Sequence, residues 1–208
     1  EMFKKKVFIV FEGIEGSGKT AHSKFLSNRL KNFKIPHIYL REPGGSINSE
    51  RIRNFILKKE NKQFHAVTDT LLYLAARNEN FLKNIKPFYK RKIIICDRFI
   101  DSTLAYQHYG FGVEKDIINF MNKKILGFVK PDFTFFMNIS VNQSLLRISS
   151  RKKKNRYDKL KKAFYIKVQK GFLEICKKNK SRYMTIDSAD KFKKNQEIIF
   201  KKITQLMR

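Results

Sequence analysis

The sequence predicts an α/β fold in which a five-stranded parallel sheet is covered by helices on both faces. Two observations lead to this prediction. Five short apolar segments alternate along the chain with segments whose apolar residues recur at helical spacing, which is the order of repeated strand and helix units. A glycine-rich loop at residues 13–20 also joins the first apolar segment to the first helical one, giving strand, loop and helix in succession.

The apolar segments are nearly continuous runs rather than alternations of apolar and polar residues, which is typical of strands buried on both faces. These predicted strands are Val7–Phe11, His37–Leu40, Ile93–Cys96, Phe133–Met137 and Tyr183–Ile186. The segments between and after them predict helices at about Lys19–Phe33, Asn48–Lys58, Thr68–Asn84, Glu114–Phe128, Val141–Ser150, Leu160–Asn179 and Asn195–Leu206.

The composition is that of a folded domain of moderate size. Of the 208 residues, 42% are apolar, and 20 phenylalanines supply material for a full core. Because no internal repeat and no linker-like stretch divides the chain, we expect a single domain over residues 1–208.

The chain is strongly basic, with 46 lysine and arginine residues against 18 acidic ones and a net charge of +28. Such a charge raises the hypothesis of nucleic-acid binding. The excess is mostly lysine spread along the chain, however, and no RRM, KH, helix-turn-helix or zinc-finger pattern accompanies it. We therefore expect no specific nucleic-acid partner and interpret the charge as a compositional bias, with weak nonspecific polyanion binding as the alternative.

The sequence gives no sign of a membrane or metal-cluster protein. No run approaches the roughly 18–20 apolar residues that cross a bilayer, and the first residues lack an apolar signal core, so we expect a cytoplasmic protein. Cys96, Cys176 and the four histidines show no metal-binding spacing. Any metal is therefore expected to arrive with a ligand, as Mg²⁺ does with a nucleotide.

The glycine-rich loop fits the phosphate-loop pattern G-x-x-x-x-G-K-[ST] in the strand and helix context that this motif requires. Its residues are Gly13, Ile14, Glu15, Gly16, Ser17, Gly18, Lys19 and Thr20. Glycines let backbone N–H groups approach a phosphate, and the N-terminal end of the following helix adds positive potential. We expect a nucleoside triphosphate here, with Lys19 at its β- and γ-phosphates and the Thr20 hydroxyl on Mg²⁺.

The third predicted strand brings two more charged residues to the edge of the sheet where ligands of parallel α/β folds bind. Asp97 follows the apolar run, as in a Walker-B strand, and is expected to orient Mg²⁺ or its waters. Arg98 adds a guanidinium whose planar fork suits a position between two anions. The alternative is an ordinary structural strand end, because an apolar run before Asp-Arg is common.

The end of the second strand and the helix after it offer further charged groups. Arg41 is a candidate for a second anion contact, and Glu42–Pro43 is a candidate cis peptide in a turn. Glu50 and Arg53 are three residues apart on a predicted helix, which favours an ion pair within that helix.

Tyr73 and Arg77 lie four residues apart on one face of the next predicted helix. They are suited to stacking on a base and hydrogen-bonding its edge. By spacing alone, a core tyrosine and a surface arginine is the alternative interpretation.

Four of these motifs together resemble the bacterial thymidylate kinase family in order and spacing. They are Phe11–Thr20, Arg41–Gly45, Leu71–Arg77 and Asp97–Gln107. The resemblance implies a P-loop nucleoside monophosphate kinase fold. It also implies Mg²⁺-dependent transfer of the ATP γ-phosphate to dTMP, giving dTDP for dTTP biosynthesis, by a homodimer.

The resemblance also assigns roles to individual residues. Glu15 corresponds to an acid near the sugar 3′-hydroxyl and the transfer centre, and Arg98 is the candidate to bridge the two substrates' phosphates. The other residues matched to the acceptor site are Arg41 and Arg53 around the nucleotide, Tyr73 for stacking, Arg77, Thr103 and Gln107 for the base edge, and Tyr106 beneath the deoxyribose.

Gly16 indicates a subtype of the family. Some relatives carry arginine in this part of the phosphate loop, whereas others have glycine and supply the cation from a basic lid. This chain resembles the second kind, with a lid at about residues 147–158. Of the three candidate cations, Arg147, Arg151 and Arg156, we favour Arg151, and a solvated basic connector is the alternative.

Three other functions stay open from the sequence. A different nucleotide or deoxynucleoside kinase would share the phosphate loop. An ATP-dependent nucleic-acid-binding protein would use the positive charge of the chain. An inactive nucleotide-binding scaffold would not depend on Arg98 or Arg151. Acceptor specificity and the dependence of turnover on Lys19 and Arg98 distinguish these alternatives.

Overall fold

A computed structural model describes residues 5–58, 60, 63–151 and 155–208. Its centre is a five-stranded, wholly parallel sheet in the order β2-β3-β1-β4-β5. The strands are β1 Phe8–Glu12, β2 His37–Arg41, β3 Ile93–Asp97, β4 Phe133–Asn138 and β5 Tyr183–Asp187. The predicted α/β fold with a parallel five-stranded sheet is confirmed.

Every strand ends one residue later than the apolar pattern predicts. The additional residues are polar: Glu12, Arg41, Asp97, Asn138 and Asp187. Pairing with the neighbouring strands continues through these positions, as in the pair Arg41 and Asp97, because the backbone ladder does not depend on side-chain polarity. The strands therefore deliver polar side chains directly to one edge of the sheet.

All seven predicted helices are present, with small differences at their ends, and a further short helix, α4 (Ile100–Thr103), was not predicted. The helices are α1 Lys19–Asn32, α2 Ile47–Leu57, α3 Ala66–Asn80, α4 Ile100–Thr103, α5 Lys115–Leu126, α6 Val141–Ser149, α7 Lys162–Lys178 and α8 Phe192–Met207. A π-helical segment at Phe81–Ile85 continues α3. Short 3₁₀ segments occupy Arg156–Lys159 and Lys180–Arg182.

One helix is not predicted by the apolar pattern of the sequence: α4 with its π-helical continuation Leu104–Gly110. Its buried side chains include the polar residues Asp101, Thr103 and Gln107. Burial of polar groups removes the apolar stripe that identifies a helix in a sequence. The segment follows β3 directly and lies at the polar edge of the sheet.

The strand side chains alternate between two apolar layers, one on each face of the sheet. Ile9 and Phe11 belong to the cluster that includes Leu26 of α1 and Ile203 of α8. Phe8 and Val10 belong to the opposite cluster, with Ile85 and residues of α5. These layers fix β1 between β3 and β4 and hold the loop after β1 at the centre of the sheet edge.

The Glu42–Pro43 peptide is cis. Among the described residues, no helix combines the length and apolar character needed to cross a membrane. Residues 152–154 of the expected lid lie outside the described residues, so only its two flanks, at 147–151 and 155–158, enter the description of the site.

Candidate functional site

The loop between β1 and α1 has a backbone that requires glycine. Gly13, Gly16 and Gly18 have φ values of 144°, 73° and 86°, and a Cβ on Gly13 would lie 2.6 Å from the Met137 carbonyl oxygen. Helix α1 begins at Lys19 without a side-chain cap. Its first N–H groups are thus left for an anion.

Lys19 is almost fully buried inside this loop, at 5% exposure. Its ammonium donates to the Ile14 carbonyl at 2.7 Å and to Ser17 Oγ at 3.3 Å. Burial, reinforced by the positive charge of Arg98, lowers the pKa of Lys19 to about 8. The loop therefore holds a lysine whose charge is incompletely compensated, as expected where a phosphate binds.

The Thr20 hydroxyl donates a hydrogen bond to Oδ2 of Asp97, the last residue of β3. The other oxygen, Asp97 Oδ1, is buried and has no hydrogen-bond partner among the residues that the structure describes. An unsatisfied carboxylate oxygen beside a hydroxyl is a suitable set of donors for a hard divalent cation such as Mg²⁺. The two residues predicted to contact the metal are therefore adjacent, and their chemistry fits it.

Arg98 follows β3 with a left-handed backbone, at φ 71°, which is uncommon for a residue with a side chain. Its guanidinium donates to Glu15 Oε1 at 2.5 Å, to the Gly13 carbonyl at 3.0 Å and to Ser102 Oγ at 2.9 Å. Although burial opposes it, contact with Tyr106 and Glu15 raises the pKa of Arg98 well above its usual value. The arginine thus stays charged, and its guanidinium bridges Gly13 and Glu15 of the phosphate loop.

Glu15 joins Arg98 to the lid. Its second oxygen accepts a hydrogen bond from Arg151 Nη1 at 3.1 Å. Burial raises the pKa of Glu15, but the positive charges of Arg98, Lys19 and Arg151 outweigh burial and hold that pKa well below its ordinary value. The carboxylate is therefore ionised and orients two arginines at once.

The three candidate lid arginines occupy different environments. Arg147 donates to the carbonyls of Gly16 and Ser188, both at 3.1 Å. Arg156 is buried against Asp69 and the Ile56 carbonyl, away from the phosphate loop. Arg151, the favoured candidate, is the one that contacts the carboxylate of the loop.

A cavity of about 250 Å³ lies beside this cluster and includes Glu15, Glu42, Leu57, Tyr157 and Arg151 in its wall. Seven of the eight residues predicted to bind the acceptor line it. They are Arg53, Tyr73, Arg77, Arg98, Thr103, Tyr106 and Gln107. The sequence-predicted acceptor residues are thus brought together around one concave space.

Arg41 lies instead in a second, more open cavity of about 660 Å³ over the phosphate loop. Glu15, Arg53, Arg98 and Arg151 line both cavities. The two spaces therefore meet at the carboxylate and the guanidinium groups that flank it.

Arg41 and Arg53 also correct one expectation from spacing. Glu50 forms its ion pair with Arg41, at 2.9 Å, across the turn rather than within its own helix. Arg53 donates to the Pro43 carbonyl at 2.7 Å. The turn that contains the cis peptide brings β2 and α2 close enough for these contacts, which sequence spacing does not reveal.

Arg77 is buried rather than on the surface, so the spacing-based alternative is wrong for it. Its Nε donates to Glu42 Oε2 at 2.7 Å and its Nη1 to Asn122 Oδ1 at 2.8 Å. Glu42 and Asn122 were not predicted as site residues. Glu42 follows a strand end directly, which is the signal that would have identified it.

The side-chain amide of Gln107 is oriented by hydrogen bonds to the lid flank and to α3. Its Nε2 donates to Asp69 Oδ2 at 3.2 Å and to the Tyr157 hydroxyl at 3.4 Å. Tyr157 in turn donates to Asp69 at 2.5 Å and packs edge-on against Tyr73 and Tyr106. With both amide protons directed away, the amide oxygen of Gln107 is the group left for a ligand.

Comparisons with known proteins identify the family to which the chain is similar. Residues 11–199 match the family model described as Thymidylate kinase. The thymidylate kinase of Ehrlichia chaffeensis is 42% identical over 179 residues, which are 85% of each chain. That of Onion yellows phytoplasma is 37% identical over 204 residues, covering 96% of this chain and 98% of the relative.

A crystal structure of thymidylate kinase from Ehrlichia chaffeensis has a TM-score of 0.76 with this chain at 33% identity, covering 95% of this chain and 98% of the other. The similarity thus extends over almost the whole length of both chains. The fold is that of a P-loop nucleoside monophosphate kinase, and the chain belongs to the thymidylate kinase family.

Proposed function

We propose that this protein transfers the γ-phosphate of ATP to dTMP, giving ADP and dTDP for dTTP synthesis. Membership of the thymidylate kinase family supports the reaction. The observation that carries the proposal is the meeting of two cavities at Glu15 and Arg98, one over the phosphate loop and one lined by Tyr73, Arg77 and Gln107.

In this proposal the chain acts by positioning and charge rather than through a covalent protein intermediate. Lys19 and the N–H groups of the loop bind the β- and γ-phosphates of ATP. Arg98 lies between the γ-phosphate and the phosphate of dTMP and reduces the repulsion between the two anions. Arg151 supplies the lid cation that Gly16 cannot provide.

Thr20 and Asp97 are proposed to hold Mg²⁺. The chemistry that the ion supplies when bound is neutralisation of charge on the β- and γ-phosphate oxygens. Asp97→Asn should weaken Mg²⁺ activation, measured as the Mg²⁺ concentration for half-maximal turnover. As a control, the affinity of Asp97→Asn for dTMP, measured by calorimetry without metal, should stay close to that of wild type. Unchanged Mg²⁺ activation in this variant would contradict the assignment of Asp97 to the metal.

The base and sugar contacts are proposed for the cavity beside the loop. Tyr73 offers a stacking surface, Arg77, Thr103 and Gln107 lie at the base edge, and the bulk of Tyr106 disfavours a 2′-hydroxyl. Arg41 and Arg53 contribute positive charge around the acceptor phosphate. Gln107 Oε1 is suited to the N3–H of thymine, whereas cytosine presents an acceptor at that position.

An ADP-release assay that compares dTMP, dUMP, CMP, UMP, AMP and thymidine tests the function. We expect dTMP to give the highest kcat/KM, and Lys19→Ala and Arg98→Ala each to lower turnover strongly with the fold retained by circular dichroism. Faster turnover of another acceptor, with dTMP near background, would overturn the proposal. ATP hydrolysis stimulated by DNA or RNA in place of phosphate transfer would favour the nucleic-acid alternative.

We also propose that the chain forms one domain over residues 1–208 with a lid at about 147–158, and that it works in the cytoplasm.

The protein is further proposed to be a homodimer. Val67 and Leu71 are half exposed on one side of α3, and Ile47 at the start of α2 is 77% exposed. Light scattering should give about twice the 24.7 kDa chain mass. Leu71→Lys should yield monomers, whereas Phe128→Lys, at another exposed apolar residue, should not.

A further inference from the structure

Glu12, the last residue of β1, is a buried carboxylate that lines neither cavity. It is only 1% exposed. Its Oε1 accepts hydrogen bonds from the backbone N–H groups of Phe99 at 2.8 Å and Ser102 at 3.2 Å. Its Oε2 accepts from Ser102 Oγ at 2.5 Å. Both oxygens are thus directed at the segment that begins with Arg98.

The first route from Glu12 to Arg98 is through the backbone. Arg98 has a left-handed φ of 71°, a conformation that persists in a residue with a side chain only where its surroundings hold it. The Arg98 N–H donates to the Phe11 carbonyl at 2.9 Å, and the next N–H, of Phe99, donates to Glu12. The end of β1 therefore holds the chain on both sides of this strained residue.

The second route is through the Ser102 hydroxyl. This group has one proton and two lone pairs, and its proton is directed at Glu12 Oε2. A lone pair is consequently available to Arg98 Nη1, which donates to Ser102 Oγ at 2.9 Å. The Glu12 carboxylate thus fixes the direction in which the Ser102 hydroxyl donates its proton. The oxygen of that hydroxyl in turn helps to orient the Arg98 guanidinium towards Glu15.

We propose that Glu12 is a positioning residue for Arg98, acting through Ser102 and through the N–H of Phe99. The inference rests on the proposed function, in which Arg98 lies between the phosphates of ATP and dTMP. A guanidinium already directed at the site before substrates bind needs little reorganisation when the phosphoryl group moves. Glu12 and Ser102 would therefore affect kcat more than the KM for dTMP.

The environment of Glu12 makes a neutral replacement informative. Burial and the neighbouring Asp101 carboxylate, itself held by the Tyr183 hydroxyl at 2.6 Å, raise the pKa of Glu12 to about 7. The ionised form that accepts the Ser102 proton therefore predominates above this pH, and the variants are compared there. Glu12→Gln keeps the shape and one oxygen for the backbone N–H groups. Its amide nitrogen, however, cannot accept the Ser102 proton, so the hydroxyl loses the acceptor that directs this proton away from Arg98. We expect kcat to fall about tenfold, the size of one hydrogen bond to a charged group.

A double-mutant cycle separates positioning from a purely structural role. Ser102→Ala, Arg98→Ala and the double variant are compared with Ser181→Ala, a serine on the exposed surface. We expect Ser102→Ala to lower kcat about tenfold in the wild-type background and to have no further effect once Arg98 is absent. Ser181→Ala should match wild type in both backgrounds.

Each alternative result has a distinct meaning. Equal losses from Ser102→Ala in both backgrounds, or no loss in the wild-type background, would overturn the inference while leaving the proposed function intact. Full turnover in Arg98→Ala would instead contradict the proposed mechanism. Crystal structures of wild type and Ser102→Ala give a readout independent of turnover: Arg98 should move away from Glu15 in the variant, and an unmoved guanidinium would refute its positioning by Ser102.

Discussion

Arg151, on the near flank of the lid, donates a hydrogen bond to the carboxylate of Glu15 in the phosphate loop at 3.1 Å. The other oxygen of that carboxylate is held by Arg98 at 2.5 Å. One acid thus orients a cation from the lid and a cation from the sheet edge. This arrangement is the basis of the first prediction.

Arg151→Ala should lower kcat by about 10³-fold, because a cation that stabilises the transferred phosphoryl group is worth at least that much in related phosphate-loop enzymes. Arg147→Ala is the matched control, since Arg147 donates to two backbone carbonyls instead of to Glu15. Its loss should be much smaller. Steady-state turnover at saturating ATP and dTMP measures both, and a larger loss for Arg147→Ala would move the lid cation to that residue.

The lowered pKa of Lys19 predicts that the use of ATP declines at alkaline pH. Burial and Arg98 lower the pKa of its ammonium to about 8 in the free protein, and only the protonated form binds phosphate. The kcat/KM for ATP should therefore fall as the pH rises through about 8, whereas kcat with ATP bound should fall at a higher pH, because phosphate stabilises the ammonium.

Lys19→Arg provides the control for this pH dependence. A guanidinium stays protonated throughout the range, so the alkaline fall in kcat/KM should disappear even though the absolute rate is lower. An unchanged alkaline limb in this variant would assign the titration to another group.

The hydrogen bonds of the Tyr157 hydroxyl predict that this group contributes to binding of the acceptor dTMP. Tyr157→Phe removes the hydroxyl that lies between Asp69 and Gln107, and the Gln107 amide loses part of its support. We expect the KM for dTMP to rise about tenfold or less, with kcat within about twofold of wild type. Tyr109→Phe is the control, because that hydroxyl contacts Glu174 outside the cavity. An equal change in both variants would exclude a role through Gln107.

The ion pair between Arg156 and Asp69 predicts an effect on stability. Their side chains are 3% and 0% exposed. Arg156→Met leaves Asp69 buried without its partner, and we expect the free energy of unfolding to fall by about 3–5 kcal/mol. Lys194→Met breaks an exposed pair with Asp190 and should leave the unfolding midpoint in urea unchanged within error. Similar midpoints for both variants would show that Asp69 is stabilised without Arg156.

Some of the site was predictable because its chemistry is local in the sequence. The phosphate loop carries its own backbone requirement in Gly13, Gly16 and Gly18, and Lys19 and Thr20 follow at fixed positions. Asp97 and Arg98 follow an apolar run, so their place at the sheet edge was predictable from the parallel topology. The family resemblance supplied the acceptor residues, and the structure places all of them but Arg41 around one cavity.

Other parts depended on contacts between distant segments. Whether Arg147, Arg151 or Arg156 meets the phosphate loop depends on how the lid flanks pack, and the buried pair with Asp69 withdraws Arg156. The burial of Arg77 depends on Glu42, which is 35 residues earlier in the chain. Sequence spacing carries no information about such pairs, because their partners lie on different elements.

The sequence by itself determined the parallel α/β sheet, the phosphate loop and the strand ends that carry charge, since periodicity and glycine conformation are local properties of the chain. Only the tertiary structure decided the missed helix after β3 and the role inferred for Glu12. Both depend on buried polar groups that are satisfied by partners far away in sequence. Such groups remove the apolar pattern on which prediction depends, and they become interpretable once their hydrogen bonds are known.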